Sequence, residues 1–110
     1  MDPAALLFHS AQIGSIPGLE KAIQKDPQII YASEIFDGMS SLHLAAASAS
    51  PNVNVVIWLL EKGIPWSALD KERHIPEDLA RMYKNNELCK ILREWAVKKG
   101  EVDLYSIESS

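Results

Sequence analysis

Cysteine is nearly absent from this chain: Cys89 stands alone among 110 residues. No intramolecular disulfide can form, and a reducing compartment, cytosolic or nuclear, is the expected home. One thiol also makes no cysteine set for zinc. His9, His43 and His74 are the three histidines, and none of them forms the i,i+4 pair a metal helix needs. Long apolar runs are missing too. The longest, residues 55–60, falls far short of the roughly 18 residues that cross a bilayer. No basic stretch followed by an apolar one opens the chain, so neither a secretory signal nor a membrane partner is expected. Glycine is sparse, with 5 residues. Neither G-x-x-x-x-G-K-[ST] nor G-x-G-x-x-G occurs, so no nucleotide and no other cofactor is expected. Basic residues are outnumbered, 11 Lys and Arg against 15 Asp and Glu, for a net charge of −4. Lys98-Lys99, the one basic doublet, is flanked by Glu94 and Glu101. A nucleic-acid face would show clustered Lys and Arg, and none is expected here.

What is present is an ordinary globular balance, 47% hydrophobic and 24% charged, on a length that suits one domain with a modest core. Residues 37–46 read Asp-Gly-Met-Ser-Ser-Leu-His-Leu-Ala-Ala. Thirty-five positions after Gly38 the pattern returns at Arg73-His74-Ile75-Pro76-Glu77-Asp78-Leu79-Ala80. Arg73 falls where Gly38 does, Ile75-Pro76 match Ser40-Ser41, Asp78 matches His43, and Leu79-Ala80 repeat Leu44-Ala45. Upstream, Leu7, Ala11, Gly14, Leu19, Ala22 and Ile23 have the spacing of a helix–turn–helix without a leading turn.

The first motif resembles the ankyrin signature G-x-T-P-L-H-x-A-A, with Ser40 for Thr and Ser41 for Pro, and its return lies close to the ankyrin period of about 33 residues. The resemblance implies an all-α ankyrin repeat solenoid of about three helix–turn–helix units with short projecting hairpin loops. The units span about 3–37, 38–72 and 73–99, and 100–110 form a flexible acidic tail. Asp2-Pro3 suits a helix start, Gly63 a left-handed helix end, and Leu44, Leu59 and Leu79 the shared core. Residues 49–52 read as a loop interrupting the middle unit. Residues 28–36, rich in β-branched and aromatic side chains, would suit a strand, and in this context are read as a finger projecting between units. Glu77, where the family places an apolar residue, is expected to meet water on an end unit.

Chemistry finds little support. Asp37, Ser40, Ser41 and His43 include the residue types of a nucleophilic triad, but in ankyrin units the same positions tie turns together by hydrogen bonds. Cys89, beside Leu88 and Leu92, reads as a small buried hydrophobe. Function then rests on exposed surface. Ile35 and Phe36 are expected at the first finger tip, where polar residues are usual. Lys71 and Arg73 fall at the second tip, and Met82 and Tyr83 on the inner helix that follows. These six are the candidate contacts for a protein partner, because aromatic, Met and Arg side chains dominate interface energetics. Phe36 folding back over the first helix pair is the alternative for that residue. Trp66 is expected as a buried anchor, with a contact role as its alternative. The outer helix around Lys90 and Arg93 is a competing surface, as is the tail from Glu101.

Residues 63–70, Asn85-Asn86 and 95–102 are also similar to the N-terminal region of fungal type IV protein arginine methyltransferases. That family joins an ankyrin-like module to a methyltransferase domain that uses S-adenosylmethionine. These 110 residues hold no such domain, so the chain itself is expected not to be an enzyme. The first expectation is a monomeric, non-catalytic protein-interaction module. The second is a substrate-docking or regulatory domain of a methyltransferase.

Overall fold

The computed structural model describes residues 2–48 and 52–99. Six α-helices and one 3-10 helix occur among them, with no strand. The helices follow in pairs: α1 (Pro3–Ile13) and α2 (Ile16–Lys25), α3 (Ser41–Ala46) and α4 (Val53–Glu61), α5 (Pro76–Met82) and α6 (Asn86–Lys98). Each helix packs on its partner. The first helices of the pairs also touch in turn, α1 on α3 and α3 on α5, and α4 meets α6. The all-α expectation is thereby met.

Polar caps start most of these helices. Asp2, Ser15, Asn52 and Asn85 each accept a backbone N–H from the first turn, at 3.3, 3.2, 2.9 and 3.2 Å. Gly63, at φ 95°, follows α4 in the left-handed conformation expected of it. The helix α3 is the least self-sufficient element. Six residues are too few for an isolated helix in water, yet Ser41 to Ala46 are all buried. Packing, not propensity, holds it. The core around it draws on Leu7, Leu19, Leu42, Val56, Leu59 and Leu88. Leu44, Leu59 and Leu79 are buried as expected.

Two expectations need correction. Residues 28–36 are not one extended finger. Pro27–Tyr31 form the 3-10 helix, with Asp26 capping it through Gln28 N at 3.1 Å and Ile30 buried. The finger proper begins at Ala32 and closes with a single bridge between Ser33 and Ser40. A lone bridge is no sheet, so β propensity had no partner strand to satisfy it. Glu77 does not meet water: its side chain is 7% exposed, and its carboxylate is paired with the Arg81 guanidinium one turn on. Arg81 also reaches Asp78 at 3.2 Å. Burial of a charge is tolerable where a partner and hydrogen bonds compensate it. The loop expected at 49–52 lies outside the described residues except for Asn52, and so does the tail expected at 100–110.

Candidate partner-binding face

Two fingers project from the helix pairs, residues 32–40 and 64–75. In the first, Glu34 N–H donates to Met39 O (2.8 Å) and Gly38 N–H to Glu34 O (2.9 Å), closing a tight tip. Gly38 has φ 72°. A Cβ placed there would come within 3.1 Å of the Lys71 backbone nitrogen. The second finger turns on Asp70, whose Oδ1 accepts from Glu72 N–H (2.9 Å) and His74 N–H (2.8 Å). The two tips are joined. Lys71 N–H donates to Asp37 O at 2.9 Å, and Lys71 Nζ donates to Ile35 O.

Ser40 and His43 hold the start of α3. Ser40 N–H donates to His43 Nδ1 (3.1 Å), while Ser40 Oγ accepts from His43 N–H (3.3 Å) and lies 2.8 Å from Nδ1. An accepting Nδ1 places the ring proton on Nε2, which donates to His74 O at 2.7 Å. The imidazole therefore bridges the middle helix pair to the second finger. Burial lowers its pKa from the usual 6.5, and the His74 backbone bond and the carboxylates of Asp70 and Asp37 only partly oppose that. Ser40 and His43 are both buried, and their hydrogen bonds belong to the turn. The geometry is that of a cap (a Ser–His pair with its acceptors already occupied), and Asp37 Oδ1 is engaged by Met39 N–H at 2.9 Å. Among the described residues no three His, Cys, Asp or Glu side chains gather as a metal set.

All six candidate contact residues are exposed. Phe36, at 91%, and Ile35, at 83%, do not fold back over the first helix pair. Met82 and Tyr83 are each 61% exposed. The face nevertheless divides into two hollows. Ile35 and Phe36 line an open cleft of about 590 Å³ with Ala4, Ala5, Phe8 and Gln12 of α1, rimmed by Asp2 and Glu34. Met82 and Tyr83 line a smaller hollow of about 190 Å³ with Met39, Leu79, Glu72 and His74. Lys71, through Asp37 and Ile35, sits at the junction of the two fingers, and Arg73 lines neither hollow.

Sequence reasoning missed the α1 wall. Its signal was available: Ala4, Ala5, Phe8 and Gln12 recur at three- and four-residue spacing on a face about a quarter turn from Leu7 and Ala11. Trp66 is half-buried. Its Nε1–H is enclosed without an acceptor, and with Trp95 and Lys99 the ring lines a hollow of about 170 Å³. Cys89 is half-buried, its thiol 3.8 Å from Glu77 O. Glu34 carries a carboxyl raised above the usual 4.5, first by burial and then by repulsion from Asp37.

No family model matches the chain. Over 76 residues, 69% of its length, it is 30% identical to the E3 ubiquitin-protein ligase XB3 of Oryza sativa subsp. japonica. Over 88 residues, 79% of its length, it is 30% identical to the probable E3 ubiquitin-protein ligase XBOS31 of the same plant. The matches span only 16% and 19% of those two proteins. Among the described residues no helix is long and apolar enough to cross a membrane. The comparisons leave this chain similar to a minor part of plant ubiquitin ligases.

Proposed function

We propose that this chain is a non-catalytic protein-recognition module of the ankyrin-repeat type, which grips a protein partner between its finger tips and the first helices of its pairs. The observation that carries the reading is the exposure of Phe36 and Ile35 beside the apolar wall of α1. A monomeric domain gains nothing from leaving two such side chains in water, and exposed apolar groups grouped in a concavity are the usual mark of an interaction surface. The repeated turn at Gly38 and Arg73, the His43 bridge and the three helix pairs favour stacked repeat units, which offer binding surface and no reaction centre of their own.

Similarity to two ubiquitin ligases favours a second, more specific reading over the arginine methyltransferase one. In it, the module is the part of a ubiquitin-transfer system that holds a protein in place. The spans matched are small, and the module supplies binding without transfer chemistry.

Affinity capture from cell lysate, comparing the wild type with the Phe36→Ala/Tyr83→Ala double variant, tests the module reading. Retained proteins should be lost with the variant while its circular dichroism and melting remain those of the parent. An unchanged set of captured proteins would reject binding through this face.

A further inference from the structure

The cleft against α1 differs from the smaller hollow in more than volume. Its apolar wall of Phe8, Ala4, Ala5, Ile35 and Phe36 is bordered by Asp2 and Glu34, with no Lys or Arg in its lining. Asp37 stands close enough to Glu34 to repel it. Glu34 forms no ion pair among the described residues. Lys71, joined to the same finger, has its ammonium on the Ile35 carbonyl. His9 is the one titratable nitrogen in the lining, and it is exposed. The cleft thus joins an aromatic-rich apolar surface to negative charge that has no ion pair among the described residues.

We propose that this cleft takes a partner segment in which Lys or Arg flanks a large apolar side chain. The inference rests on the module reading and names the chemistry of its partner. An apolar side chain lying between Phe36 and Phe8 removes both rings from water, and desolvation drives such contacts. A flanking cation placed at Glu34 offsets the repulsion between that carboxylate and Asp37. Complementary charge also steers the encounter and rejects acidic segments, whose carboxylates would add to the same repulsion. The chain's net charge of −4 acts in the same direction at longer range.

The test uses fluorescence anisotropy with three labelled synthetic peptides. One carries Lys and Arg around a central Leu-Phe pair. The second has Glu at every basic position, and the third has Ser there. The full chain should bind the basic peptide, bind the Ser peptide about tenfold more weakly, and leave the Glu peptide unbound. Phe36→Ala and Glu34→Lys should each weaken the basic peptide by about tenfold or more, whereas Tyr83→Ala should leave it within about twofold. Raising the salt should weaken the basic peptide more than the Ser peptide, because exposed charge pairs are screened. Both positions are on the surface, so the variants should melt with the parent. Equal binding of the acidic peptide, indifference to Glu34→Lys, or no binding of any peptide by the wild type would overturn the proposal. Loss of binding with Tyr83→Ala and not with Phe36→Ala would also overturn it, while leaving the module reading intact. Lysate capture that survives the double variant would instead strike at the module reading itself.

Discussion

The turns at Gly38 and Arg73 share a backbone and differ in chemistry. Both residues are left-handed, at φ 72° and 66°. At the start of α3 the chain uses Ser40 as the cap and His43 three residues on, which satisfy one another. At the same place before α5 it uses Ile75, which has no side-chain acceptor, and Asp78, whose Oδ2 takes Ile75 N–H at 3.0 Å. The middle unit is buried at this point, and there Ser40 and His43 match each other's polar atoms while the Ser41 hydroxyl stays without a partner. The last unit has solvent nearby and Arg81 on Asp78, so half of the cap suffices. The same conformation can therefore be reached with a costly residue and an incomplete cap, provided the surroundings are wet.

The largest effect should come from His43→Ala. It empties a buried ring site, breaks the bond to His74 O and leaves Ser40 N–H unmatched, for a loss of about 3–5 kcal/mol in urea unfolding. Asp78→Ala, removing only a partly exposed cap, should cost about 0.5–2 kcal/mol. Equal losses at the two positions would erase the contrast between the units. The ring also gives a pH signature. Its folded pKa is below the unfolded 6.5, so the unfolded chain binds protons more readily. The His43 contribution is complete above that value and is lost as the pH falls through about 6.5 toward the folded pKa. Melting curves between about pH 7.5 and 5.5 should record this fall in the wild type and a flatter profile in His43→Gln. Glu34 acts in the opposite sense, since its raised carboxyl favours the folded state on protonation, and its window begins lower.

Gly38→Ala should destabilise by about 1–2 kcal/mol, from the left-handed backbone and the approach to Lys71 N. Ser41→Ala should stabilise by about 1 kcal/mol, because the Ser41 hydroxyl is buried without a hydrogen-bond partner. Its counterpart in the last unit is Pro76, which has no such group. The smallest change is expected at Arg73→Gly, a gain of about 0.5–1 kcal/mol from relief of the left-handed strain, read as a rise in urea midpoint. A loss there would mean that the Arg73 side chain contributes contacts that its exposed position does not suggest.

Much of this was legible in the sequence because it depends on local chemistry. The repeat of Gly38 at Arg73, the turn at Gly63 and the inward leucines follow from spacing and residue type. The exposure of Phe36 was left open, since a finger tip can lie flat or stand free and no local rule distinguishes them. The 3-10 helix at Pro27–Tyr31 was hidden because β-branched residues suit a strand only when another strand is available. Glu77 was misjudged for a related reason: its burial depends on Arg81 one turn away reaching across to it.

The sequence by itself determined the helical content, the order of the pairs and the residues able to bury their side chains, because periodicity and capping act within a few residues. It also determined the excess of negative charge. Only the tertiary structure decided that Ile35 and Phe36 line a cleft with α1, and that Met82 and Tyr83 line a separate hollow. It alone decided that Glu34 has no ion pair among the described residues. Those outcomes depend on where Lys71 and His43 tie one unit to the next, through backbone carbonyls at Ile35, Asp37 and His74. Carbonyl groups are identical in every residue, so no pattern of side chains announces which of them will be used.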